Sequence, residues 1–275
     1  MTMLSINTNI GALNASQSSY SVNNSMETSM ARLSSGNRIN SAADDAAGLQ
    51  IARRMDTEIQ GLNQAVRNAA DAQALLQTAE GALDEVHTIL LRIRELSVQA
   101  SNGTYGAQDR LAIQAEVTDL QSEITRISND TTWNSISLIE GSQSTGITFQ
   151  IGADNTQTVT VAIANIALAT LSIGGTSQVT TATNAMSYIA AVDKAISVIS
   201  TNRGTYAAAI NRLDHSVANM QNIATNLSAA KGRIEDADFA AETANLARTQ
   251  VLQQASMAML AQANASKQNI LTLIQ

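Results

Sequence analysis

Few residues in this chain are placed to do chemistry. Asp44 and Asp45 are adjacent carboxylates in RINSAADDAAGL (38–49). A pair of carboxylates can share a metal or divide acid and base roles, but neighbours one residue apart do not share a helix face. No histidine or third ligand accompanies them. Ser41 or Asp44 is instead expected to cap the helix that follows. His87 and His215 stand singly, outside any HExxH or triad spacing, and read as ordinary polar helix residues. Met257 and Met259 are two apart, so a helix does not bring them together, and Met259 reads as packing on an apolar seam. No GxxxxGK[ST] phosphate loop occurs. Cysteine is absent, which removes disulfides and thiolate metal sites. The sequence therefore implies no enzyme, no cofactor and no metal.

The elements that would position these residues are helical. Hydrophobic residues make up 44% of the 275 residues but aromatics only 3%, and proline is absent. Ala, Leu, Ile, Val and Met favour closely packed helices, and nothing interrupts a long one. Charged residues are 14%, against about 25% in an average chain. A surface that packs on copies of itself needs less charge. The net charge of −7 and the lack of a basic stripe argue against nucleic acid or an anionic membrane as partner. No run approaches the roughly 18 apolar residues of a membrane span. The N-terminal stretch has no Lys or Arg before Arg32 and no apolar h-region, so any exit from the cell is expected to need no cleaved signal.

Three seams repeat at alternating spacings of three and four. One runs through Ile189, Val192, Ile196, Ile199, Arg203, Tyr206, Ile210, Leu213, Val217, Met220, Ala224 and Leu227, broken only by Arg203. A second comprises Leu75, Ala79, Ala82, Val86, Ile89, Ile93, Leu96 and Ala100; a third, Ile113, Val117, Leu120, Ile124 and Ile127. SNGTYGAQD (101–109) is the turn between the last two. ITFQI (147–151), GADN (152–155) and TVTVAI (158–163) read as a β-hairpin. Residues 164–185 show little pattern and read as a surface insert. At the ends, Val22, Met26, Met30 and Leu33 predict one helix; Leu252, Ser256, Met259, Ala263, Ser266, Ile270 and Leu273 predict another. Isolated helices are marginal in water, so the ends are expected to pair with each other and with neighbouring molecules. The fold class is mainly α: a long, antiparallel, coiled-coil-like bundle with a small β-hairpin insert and paired N- and C-terminal helices.

RLSSGNRINSAADDAAGLQIA (32–52) resembles the bacterial flagellin family, with LSSG-x-RINSA-x-DDAAG matching from Leu33 to Gly48. Residues 233–274 are similar to the family's C-terminus, and EGALDEVHTILLRIRELSVQASNGT (80–104) to the first long helix of its middle domain. The resemblance spans roughly residues 1–142 and 184–275. It implies a subunit that self-assembles into the flagellar filament for swimming, exported by the flagellar type III apparatus; a hook–filament junction protein is the alternative. It also implies a terminal core domain (1–44 with 235–275), a rod domain (45–142 with 184–234) and a short variable insert (143–183). Implied assembly residues are Leu33, Arg38, Ile39, Asp44, Asp45, Leu252, Met259, Ile270 and Leu273. Arg92, Leu96 and Glu116 match positions contacted by the flagellin-sensing toll-like receptor of animals. The implied partners are further copies of the chain, an export chaperone, and hook-associated junction and cap proteins; the implied location is extracellular. The chain departs from the family at TTWNS, where Ser135 replaces a glycine and a looser turn is expected. Lys267 stands where a proline is common, and a straighter last helix is expected.

Overall fold

The computed structural model describes residues 8–175 and 178–274, with side chains through Ser266 in the last helix. In chain order the elements are α1 (Ile10–Ser35), α2 (Ala46–Ser101), α3 (Ala107–Asp130), β1 (Thr132–Trp133), β2 (Ile136–Ser137), β3 (Ile147–Gln150), β4 (Thr158–Val161), α4 (Leu168–Leu171), α5 (Ala182–Glu235) and α6 (Phe239–Ile274). α6 runs unbroken past Lys267, as the missing proline allows. The chain divides into two compact units: residues 1–57 with 226–275, and residues 58–225. α2 and α5 contribute to both.

The unit of residues 58–225 is a helical bundle. Arg94 donates to Asp193, Gln73 to Asp214, and Arg203 reaches both Glu80 and Asp84. Residue numbers rise on α2 as they fall on α5, so the two helices run antiparallel. α3 turns back along α2, with Arg92 on Glu116. The heptad pattern is real, but its register is broader than the sequence suggests. On α5, Val192, Ile199, Tyr206, Leu213 and Met220 are buried at seven-residue intervals, joined by Tyr188, Ala195 and Ala209. Ile189, Ile196 and Ile210 are only half-buried. On α2, Leu83 and Leu90 lie in the core, while Ala82 and Ile89 are half-buried. α2 is covered by α3 on one side and α5 on another, so two adjacent heptad positions are filled instead of one. Arg203 is tolerated on its seam because its guanidinium reaches the surface, 2.8 Å from Glu80 and 2.7 Å from Asp84.

The predicted hairpin forms as β3 and β4, antiparallel, with Ile147 opposite Val161 and Gln150 opposite Thr158. A second, shorter hairpin, β1–β2, surrounds Asn134 and Ser135. Ser135 does not loosen that turn. Both residues take positive φ (48° and 65°), as a two-residue hairpin turn demands, and the strain stays on the serine.

The described stretch that follows β4, read from the sequence as a surface insert over 164–185, sends apolar side chains inward: Ile166, Leu171, Ile173 and Val179 are buried, as is Ile163 just before it. Their backbone is tied to helix side chains: the Ala164 N–H donates to the Tyr206 hydroxyl (2.7 Å) and the Val179 N–H to Gln114 Oε1 (2.8 Å). The Ile173 carbonyl accepts from Gln121 Nε2 (2.6 Å) and the Tyr188 hydroxyl (3.0 Å). Among the described residues no helix is long and apolar enough to cross a membrane.

Candidate functional site

The unit of residues 1–57 and 226–275 holds most of the predicted assembly residues. α1 packs against α6. Asn9 donates to the Ala263 carbonyl, Gln253 to Asn23, and Arg32 lies 4.0 Å from Glu242, so the two run antiparallel. Their shared face is mostly small or polar. Ser29, Glu242 and Thr249 are buried in it, and Ser256 and Ala263 point the same way. Ser29, Arg32, Glu242, Asn245, Arg248 and Thr249 line a cleft of about 360 Å³. Many of the larger apolar side chains point elsewhere: Ile10, Leu13, Tyr20, Met30, Val251, Leu252, Met257 and Met259 are between 45% and 69% exposed. The seam expected through Leu252 and Met259 therefore does not face α1 of the same chain. The inward line of α6 is Glu242, Leu246, Thr249, Gln253, Ser256, Leu260 and Ala263: the expected Ser256 and Ala263 lie on it, while Gln253 and Leu260 take the places expected of Leu252 and Met259. On α1, Val22, Met26 and Leu33 are half-buried but Met30 is outside. The side chains of Ile270 and Leu273 lie outside the described residues.

The segment between α1 and α2 is tied down by polar contacts. Gly36 ends α1 at φ 75°, in the left-handed region that favours glycine, and its N–H donates to the Arg32 carbonyl. Asn37 and Asp236 form a β-bridge. Arg38 donates from its N–H to the Glu235 carbonyl (2.6 Å) and from Nη2 to the Ile234 carbonyl (2.7 Å). Ile39 is buried. The carboxylates divide the work differently from the expectation. Asp45, not Ser41 or Asp44, caps α2: its Oδ1 accepts from the Gly48 N–H (2.9 Å). A Cβ on Gly48 would press into the Asp45 carboxylate and lie 2.7 Å from Ile39 Cδ1, so any side chain there would push the capping carboxylate or Ile39 aside. Asp44 folds back instead, and Oδ2 accepts from the N–H groups of Ser41 (2.8 Å) and Asn40 (3.1 Å) and from the Ser41 hydroxyl (3.1 Å). These bonds, the Ser41 N–H foremost, hold its carboxyl below the usual range. The two aspartates are thus spent on backbone N–H groups. Among the described residues no three His, Asp or Glu side chains converge as a metal site.

The second predicted patch lies on the bundle. Arg92 donates from Nε and Nη2 to Glu116 Oε1 (3.0 and 2.8 Å) and from Nη1 to Glu95 (2.6 Å). Leu96 is not exposed beside them; it is 2% exposed and belongs to the bundle core. The exposed apolar neighbour is Leu91.

Two family models divide the chain. The one described as the bacterial flagellin N-terminal helical region matches residues 6–144; that of the bacterial flagellin C-terminal helical region matches residues 189–274. A flagellin of Halalkalibacterium halodurans is 42% identical over 271 residues, spanning 98% of this chain and 99% of that one. The chain belongs to the flagellin family. Its fold agrees with the crystal structure of Bacillus cereus flagellin (32% identity, TM-score 0.50), over 60% of this chain and 94% of that one. A structure described as a flagellar hook-associated protein of Vibrio parahaemolyticus has a similar fold (TM-score 0.57) at 15% identity, covering 70% of this chain and all of that one. The flagellin match is collinear from end to end and far higher in identity, so it favours a filament subunit over a junction protein. A flagellin is a structural protein, the subunit of the bacterial flagellar filament that drives swimming.

Proposed function

We propose that the chain polymerises through the outward apolar faces of α1 and α6, with the Arg38–Asp45 segment shaping contacts between neighbouring copies. One observation carries this reading: the helices meet each other through a mostly small or polar face and keep Leu13, Tyr20, Val251, Leu252 and Met259 outside. A large exposed apolar face is characteristic of an association surface. A contact of this kind repeated head-to-tail generates an open helical filament. The role is mechanical and involves no catalysis. The subunit acts outside the cell, after export by the flagellar type III apparatus with an export chaperone, and meets hook-associated junction and cap proteins at the filament ends. Arg92 and Glu116 offer a charged surface to neighbouring copies and to a host toll-like receptor, with Leu96 supporting that surface from beneath.

Seeded polymerisation tests the reading. Short filament fragments added to purified chain give long filaments, followed by light scattering and electron microscopy. Leu252→Glu with Met259→Glu stops growth while leaving the melting of the 58–225 unit unchanged. Normal growth of that variant overturns the assignment of the surface. Persistent monomer from the unaltered chain favours the junction-protein alternative.

A further inference from the structure

We infer that Asn102 is a self-modifying residue, converted by the backbone of Gly103 to a mixture of isoaspartate and aspartate with release of ammonia. Asn102–Gly103 is the only Asn–Gly pair in the chain. It sits in the exposed turn between the C-terminus of α2 and the start of α3. The reaction needs the Gly103 nitrogen to lose its proton and attack Asn102 Cγ. Among the described residues the Gly103 N–H makes no hydrogen bond, and no atom outside the turn lies within 4 Å of where its Cβ would be. The nucleophile is therefore neither bonded nor crowded.

The electrophile is prepared as well. Asn102 Oδ1 accepts from the Thr104 N–H (3.2 Å), which folds the side chain back along the turn. The same bond stabilises negative charge developing on Oδ1 as the Cγ–N bond forms. The Cγ–Nδ2 bond then breaks, ammonia leaves with the proton it takes from water, and a succinimide remains. One water opens that ring. Cleavage at Cγ gives aspartate; cleavage at the main-chain carbonyl carbon gives isoaspartate. Arg110 distinguishes the two routes. Its Nη2 donates to the Asn102 main-chain oxygen (3.0 Å), and its Nε to the Ala100 carbonyl (2.8 Å). A guanidinium on the main-chain oxygen polarises that carbonyl and directs water to it, favouring isoaspartate. The isoaspartate inserts a methylene into the backbone and breaks the turn that Arg110 clamps.

The test incubates the full chain at neutral and mildly alkaline pH, followed by peptide mapping that separates Asn, Asp and isoAsp at position 102. Conversion at Asn102 is expected to outpace every other asparagine and to rise with hydroxide concentration. Gly103→Ala fits the space and has an ordinary backbone conformation. It is expected to slow conversion at least several-fold without moving the thermal melt. Arg110→Gln is expected to lower the isoaspartate-to-aspartate ratio. Retention of the Asn102 amide while other asparagines lose theirs, or an equal rate in Gly103→Ala, overturns the proposal. An unchanged product ratio in Arg110→Gln overturns the role given to the guanidinium.

Discussion

Tyr206→Phe removes one oxygen atom from the centre of the 58–225 unit and leaves the packing volume almost unchanged. Tyr206 is 0% exposed, and its hydroxyl accepts from the Ala164 N–H at 2.7 Å. In the variant that N–H loses its protein partner. Leaving such a group unsatisfied costs about 1–3 kcal/mol. For a unit of this size, 1 kcal/mol moves Tm by about 2–4 °C, so the melt falls by roughly 2–12 °C. Tyr188→Phe is the internal control. Its hydroxyl is equally enclosed, but the Ile173 carbonyl still accepts from Gln121 Nε2 at 2.6 Å. No group is left wholly without a partner, and the cost drops to about 0.5–1.5 kcal/mol. The assay is thermal unfolding by far-UV circular dichroism. Tyr206→Phe melting at or above Tyr188→Phe would refute the reasoning, because volume alone does not rank them. Alkaline pH provides a second reading. Burial pushes both phenols above their ordinary value of 10.0. The folded chain therefore holds a proton that the unfolded chain releases first. The stability this represents is complete below the unfolded value and is lost as pH rises through the folded one. The stability of the unit should fall above about pH 10, and each Phe variant should show a shallower fall.

Ser135→Gly relieves a serine held at φ 65° and should stabilise the 58–225 unit by about 0.5–1 kcal/mol, raising its melt by a few degrees. An unchanged or lower Tm would mean that the strand pairing, not the turn, sets the local strain. Asp45→Ala removes the α2 cap at a cost of about 1 kcal/mol. Amide exchange at Gly48 and Leu49 should accelerate about fivefold in filaments, with Asp45→Asn close to the unaltered chain. Equal protection in Asp45→Ala would remove the cap from the account.

The helices and the β3–β4 hairpin were legible because each is local: a period near 3.5 for α2, α3 and α5, and alternation for Ile147–Gln150 and Thr158–Val161. What escaped was set by a partner distant in sequence. Leu83 and Leu90 are core because a second helix covers α2, and a single seam drawn along one helix cannot show that. The segment after Val161 looked featureless because half of its anchoring belongs to others: Gln114, Gln121, Tyr188 and Tyr206 bind its backbone. A buried glutamine on an otherwise apolar line was the available sign, since such a residue needs a partner. The sequence does not separate Asp45 from Ser41 or Asp44 as the cap, for a local reason. Any of them could cap a helix, and the choice was made by Gly48, whose missing side chain gives Asp45 its room.

The phase of α6 has a consequence that can be measured. Among the described residues, nine large apolar side chains on α1 and α6, Phe239 included, remain between 45% and 69% exposed. Fully burying a side chain of this kind stabilises by about 1.5–3 kcal/mol, so association can recover on the order of 10 kcal/mol that the lone helix pair does not have. Within the pair, Gln253 donates to Asn23 across the helices while the buried Thr249 hydroxyl bonds back to the Asn245 carbonyl of its own helix, and such bonds replace bonds to water and contribute little net stability. Helices without strong tertiary packing are marginal. In dilute solution the amides of α1 and α6 should therefore exchange orders of magnitude faster than those of α3 and of the α2 and α5 stretches within residues 58–225, and incorporation into filaments should slow them to comparable rates. Hydrogen exchange read by mass spectrometry on both states separates the possibilities. If α1 and α6 are as protected in the dilute chain as the 58–225 bundle, the helix pair is stable by itself, and its outward residues are not what holds it together.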